Sequence, residues 1–166
     1  MITFLSLSLE FLFIFHHDVR HPHTVSLLRR RRRVEQELES MLTALRTRGY
    51  TVFAKAIFAT NLFPDILVGT SFTFFAPTNS SLHALDMAAT AEDYVATLRC
   101  HIVPAASQSS ISDLFLPPLR ITTLDPNHDV IQVQRQPVSD VIFVDGVDLV
   151  VPGLFYGGEV VVHGFI

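Results

Sequence analysis

The chain has 166 residues, 49% of them hydrophobic, with a net charge of −4 and a mean hydropathy of +0.38. That is enough apolar material for one well-packed domain, and too much for a disordered protein. The charge is uneven: residues 1–40 hold six arginines against five acids, and residues 41–166 hold six Lys/Arg against eleven acids. The globular part is therefore mildly acidic, and no nucleic-acid footprint is expected on it. The single cysteine, Cys100, excludes an internal disulfide and any all-cysteine zinc site. Fourteen Phe and no Trp point to aromatic side chains used in a core.

The chain opens on "MITFLSLSLEFLFIFHHD", an apolar run interrupted by Glu10. Its length suits the h-region of a secretory signal, although no Lys or Arg precedes it and no small-x-small cleavage site follows. Residues 1–37 are read as this apolar segment plus an Arg-rich flexible tail. His16, His17, His21 and His23 cluster in the tail, but no periodic frame organises them as ligands. Arg29–Arg33 are five consecutive cations suited to nucleic acid, an acidic membrane, an acidic polysaccharide or a nuclear address. Their plainer reading is a solvated lead into a helix. A basic run beside an apolar stretch also orients membrane anchors, though this stretch falls short of the roughly 20 residues that a span needs.

From Val34 a helical period begins, with Val34, Leu38, Met41, Leu42 and Leu45 on one face and Glu35, Glu37 and Glu39 off it. "YTVFAKAIFAT" predicts a second helix, and "NLFPDILVG" a third with Pro64 in its first turn. "SFTFFA" predicts a strand. Pro77 ends its pairing because it offers no N–H, and Thr78 or Asn79 caps the helix that follows. "TAEDYVATLRCHIV" predicts a helix from a Thr90 cap that turns extended before Pro104. Five β-rich runs follow: "RITTL", "DVIQVQR", "DVIFVDG", "VDLVVPGLF" and "EVVVHGFI". Residues 144–148, "VDGVD", predict a hairpin turn. Helices first and strands after argue for an α+β fold in a single domain, residues 38–166.

Three stretches then stand in a telling order: "FTFFAPTNSSLHAL" (72–85), "LRCHIVP" (98–104) and "EVVVHGFI" (159–166). They resemble the first conserved motif, the Tyr-His motif and the second conserved motif of a fasciclin domain. "VDGVDLVVPGLFYGGEVVVHG" resembles the plant fasciclin-like arabinogalactan proteins. Phe74, Ala76, Pro77, Thr78 and Asn79 fall in the first motif, His101 and Pro104 in the second, and His163 in the third. The resemblance implies helices of the N-terminal half packed on a β-sandwich-like sheet wedge. It also implies an extracellular adhesion or binding module at the cell surface or cell wall. Its partners would be cell-wall polysaccharide, matrix glycoprotein or another surface protein.

This sequence departs from the family pattern in places. Cys100 stands where the Tyr-His motif has its tyrosine, so receptor binding of the kind linked to that motif in animals is not carried over. Only Ala76-Pro77 resembles an arabinogalactan-bearing dipeptide, and the third motif ends at Ile166 with no apolar tail for a lipid anchor. A bare fasciclin domain is expected.

Site chemistry is sparse. Asn79-Ser80-Ser81 is the one N-glycosylation sequon, set against a plain capping role for Asn79. His101, His163, His83 and His128 are read as packed or hydrogen-bonded side chains, and Asp140, Asp145, Asp148 and Glu159 as turn acids in place of calcium ligands. No phosphate loop, nucleophile elbow or HExxH is present, so neither an enzyme nor a cofactor is expected. The rival reading is an intracellular protein of the same fold, cytoplasmic if the N-terminus is not a working signal, acting through Arg29–Arg33. A hydrolase using His101 or the carboxylates ranks last.

Overall fold

The computed structural model describes residues 22–68, 71–104, 119–127, 130–136, 139 and 141–165. The apolar opening with His16, His17 and His21, and also Gly69, His128, Asp140 and Ile166, lie outside the described residues. The chain forms two compact units, residues 1–32 and residues 33–166. Helix α1 runs from Pro22 to Thr47. It therefore begins well before the expected start at Val34, and the arginine run is helical where the sequence suggested a flexible tail. The physical reason is local: Pro22 suits a first helical position, and Leu and Arg are strong helix formers.

In the second unit the apolar stripe of α1 behaves as its period predicts. Val34, Leu38, Met41, Leu42 and Leu45 are all buried. They join one cluster with Phe53 and Ile57 of α2 (Thr51–Ala59), Ile66 of α3 (Phe63–Val68), Leu82 of α4 (Asn79–Ala88) and Leu98 of α5 (Ala91–Cys100). The floor of that cluster is one face of the central strands.

Among the described residues, seven strands form one sheet in the order β2-β1-β7-β6-β5-β4-β3. These are β1 (Phe72–Ala76), β2 (Ile102–Pro104), β3 (Leu119–Thr122), β4 (Val130–Arg135), β5 (Ile142–Val144), β6 (Val147–Tyr156) and β7 (Val160–Phe165). All neighbours are antiparallel except β1 and β7, which run parallel in the register Phe72↔Val160 to Ala76↔Gly164. Side chains alternate across a strand. Phe72, Phe74, Ala76, Val160 and Val162 thus face the helices, while Phe75 and Phe165 point the other way.

That other face is also covered. Phe75, Val103 and Phe165 share a second cluster with Ile131, Val133, Val144 and Leu149 from the far half of the sheet. The sheet must therefore curl so that its second half lies over the back of β1 and β7. The Leu124 N–H, just after β3, donates to the Ile102 carbonyl of β2 at 2.8 Å and draws the two ends of the sheet together. The fold is α+β, with a mixed sheet that is nearly a barrel. The expected hairpin turn is present: Asp145 and Gly146 both adopt positive φ, 48° and 81°, as a two-residue primed turn requires.

Candidate functional site

The end of β1 explains the abrupt change at "FAPTNSS". Ala76 is fully buried and Pro77 follows as a buried residue with no N–H to leave unpaired. Thr78 is extended (φ −66°, ψ 161°), and its Oγ1 accepts the Ser81 N–H at 3.2 Å, which makes it the N-cap of α4. Asn79 does something the sequence did not reveal. Its Oδ1 accepts the Val52 N–H at 2.9 Å, and its Nδ2 donates to Thr51 Oγ1 at 3.1 Å. Helix α2 has Tyr50 at its N-cap with no side-chain cap bond, so Asn79 caps α2 from 27 residues away. One dipeptide therefore starts one helix and caps another.

Of the predicted histidines, His163 lies on the opposite face of β7, and His101 stands at the end of α5. His101 caps the end of α5, and its backbone carbonyl accepts the Phe75 N–H at 2.9 Å. Its ring meets Phe53 edge-on at 6.4 Å and Phe165 at 5.8 Å. Phe165 stacks on Phe75 at 6.0 Å, Phe75 lies 5.8 Å from His163, and His163 meets Tyr156 edge-on at 6.2 Å. His101 and His163 thus belong to one aromatic row, joined through Phe165 and Phe75. Burial lowers both imidazole pKa values to about 4. His163 Nδ1 accepts the Gly153 N–H at 3.0 Å, so this ring is neutral with its proton on Nε2. Gly153 has φ +71°, and a Cβ there would collide with the Tyr156 ring. It lies at the irregularity of β6 between Val151 and Phe155, where the register against β7 shifts.

Cys100, which replaces the motif tyrosine, points to a different partner. Its Sγ lies 3.5 Å from Oδ2 of the buried Asp125. Burial pushes the thiol up to about 11, and the Asp125 carboxylate adds to the rise. A thiol that keeps its proton at neutral pH is a packing group and a poor nucleophile. Pro104 is exposed at the end of β2, opposite Phe72. Asp145 serves the hairpin, its Oδ1 accepting the Gln132 N–H at 2.7 Å, and Asp148 is exposed. Among the described residues, no three His, Cys, Asp or Glu side chains converge in a way that could hold a metal ion.

Two residues escaped the sequence reading. Glu37 was placed on the solvent side of its helix, yet its Oε2 accepts the Glu159 and Val160 N–H groups at 2.7 and 3.1 Å. It closes the turn before β7. The signal was the Gly157-Gly158 pair, since a Cβ at Gly157 would lie 2.5 Å from that carboxylate. Tyr50 packs on Gly164 and its hydroxyl donates to the Phe165 carbonyl at 3.1 Å. Nothing in the local pattern pairs residues 115 positions apart.

Residues 33–164 match the family model of the Fasciclin domain. The chain belongs to the fasciclin-domain family. It is similar to the Fasciclin-like arabinogalactan protein 19 of Arabidopsis thaliana, with 43% identity over 131 residues, 78% of this chain and 52% of that protein. The chain thus spans about half the length of the curated relative. In fold the domain is similar to a FAS1 domain pair from the insect cell adhesion molecule Fasciclin I. The TM-score is 0.53 at 17% identity, over 70% of this chain and 43% of that one. Within the fasciclin domain, the strand-to-helix junction and the aromatic row lie in the motifs that carried the resemblance, and both are built from packing and capping.

Proposed function

We propose that this fasciclin domain is a non-catalytic binding module of the adhesion type, working at the cell surface or in the cell wall. The observation that carries the reading is the 43% identity to a plant fasciclin-like arabinogalactan protein across most of the chain. The site chemistry agrees with it: the two motif histidines are packed among aromatic rings, and Cys100 is held as a thiol. The partners that fit are cell-wall polysaccharide, matrix glycoprotein or another surface protein, met through exposed loops and side chains. Tyr156, at 62% exposure, is the open end of the aromatic row and the side chain we assign to partner contact.

Secretion would also expose the Asn79 sequon to glycosylation. Asn79 is half-buried and its Nδ2 donates to Thr51, so a glycan there replaces one amide hydrogen and leaves the other for that bond. The test is fractionation of the native protein with mass mapping of its peptides. Recovery from the wall or surface fraction, with a hexose-bearing Asn79, supports the reading. Recovery of an unglycosylated form starting at Met1 from the cytosol sinks it.

A further inference from the structure

We propose that the first turns of α1 form a surface that docks on an anionic lipid bilayer. Leu27 and Leu28 are adjacent on the helix and exposed by 65% and 63%. Arg29–Arg33 follow at once, and all five are exposed. Between Pro22 and Val34 the sequence has no acidic residue. Successive residues turn about 100° around a helix axis, so five in a row are spread around it. Arg30 and Arg31 stand three and four residues after Leu27, and Arg31 and Arg32 three and four after Leu28. The apolar pair is therefore rimmed by guanidinium groups on the next turn.

This combination selects its occupant. A soluble polyanion, such as an acidic polysaccharide or a nucleic acid, would take the cations and leave the leucines in water. An apolar protein groove would take the leucines and then face five cations. An anionic bilayer satisfies both: the leucines enter the boundary of the acyl region, and the arginine stems reach back to the phosphates, which guanidinium binds in a fork. Among the described residues, no helix is long and apolar enough to cross a membrane.

The experiment is co-sedimentation of the full chain with vesicles of phosphatidylcholine alone, or with about 30% phosphatidylserine. We expect at least tenfold stronger partition to the anionic vesicles, abolished at about 0.5 M salt. Arg29→Gln/Arg32→Gln/Arg33→Gln should weaken it about 100-fold, at roughly fivefold per arginine. Leu27→Ser/Leu28→Ser should weaken it at least tenfold. These side chains are exposed, and circular dichroism of each variant checks that the fold is kept. Equal binding to both vesicle types overturns the proposal. So does full binding by the leucine variant, or binding to soluble polygalacturonate or heparin with no binding to anionic vesicles. Four of the five arginines precede the matched fasciclin region, so failure here leaves the binding-module reading intact.

Discussion

The two halves of the one sheet are built differently. β1 and β7 are buried at every position, whereas β4 alternates between buried Ile131 and Val133 and exposed Gln132 and Gln134. The central pair is covered by helices on one face and by the curled outer strands on the other. β4 has a single covered face. A strand with two dry faces reads as an unbroken apolar run, and a strand with one reads as an alternation. The centre has no room for an unpaired charge, whereas β4 already carries polar side chains at every second residue.

The largest effect tests that contrast directly. Phe74 is fully buried against the helices, so Phe74→Asp should leave no folded protein at neutral pH by urea or thermal unfolding. Gln134→Asp, on the exposed face of β4, should change stability by no more than about 0.5 kcal/mol. A folded Phe74→Asp protein would break the two-faced picture of the centre.

Acid should weaken the centre next. Burial lowers the His101 and His163 pKa values to about 4, from an unfolded value of 6.5. Below 6.5 the unfolded chain takes up protons that the folded chain refuses. The stability contributed by the neutral rings is complete above about pH 6.5, falls as the pH drops towards 4, and levels off below. The full loss is about 3 kcal/mol for the deeply buried His163 and less for the half-buried His101. His163→Asn retains an acceptor for the Gly153 N–H and removes the titration, so its unfolding free energy should fall less steeply between pH 6.5 and 4. An unchanged slope would remove His163 from the acid response.

The β6 irregularity sharpens the comparison further. Gly153→Ala places a side chain at φ +71° against the Tyr156 ring and should cost about 2 kcal/mol or more. Adding Tyr156→Ala should return the part due to the clash, read as coupling in a double-mutant cycle. Additive losses would mean that the ring moves aside freely. Two single side chains that accept backbone N–H groups come next. Glu37→Ala should cost about 2 kcal/mol by stranding two N–H groups, and Thr78→Ala about 1 kcal/mol. Equal losses at the two positions would show that the reach of Glu37 across the domain adds nothing beyond a local cap.

Much of the fold was legible from residue order. The α1 stripe, the Thr90 cap, Pro64 in the first turn of α3, the turn at Asp145-Gly146 and the five later strands all follow from local period and turn chemistry. So did the junction at Pro77, because proline and threonine act on their immediate neighbours. The arginine helix is an exception of the opposite kind. Its residues favour a helix, but five charges hide the apolar period by which a helix is recognised.

The sequence by itself determined the elements, the turns between them and the motifs that mark a fasciclin domain, because these depend on interactions over a few residues. Tertiary structure alone decided that β1 lies parallel to β7, that Asn79 caps α2, that Glu37 closes the turn before β7, and that His101 and His163 belong to one aromatic row. Each joins groups between 27 and 123 positions apart. A backbone N–H accepts any well-placed oxygen, and a buried face any ring that fills it. The partner is therefore chosen by how the chain packs, and no local pattern encodes it.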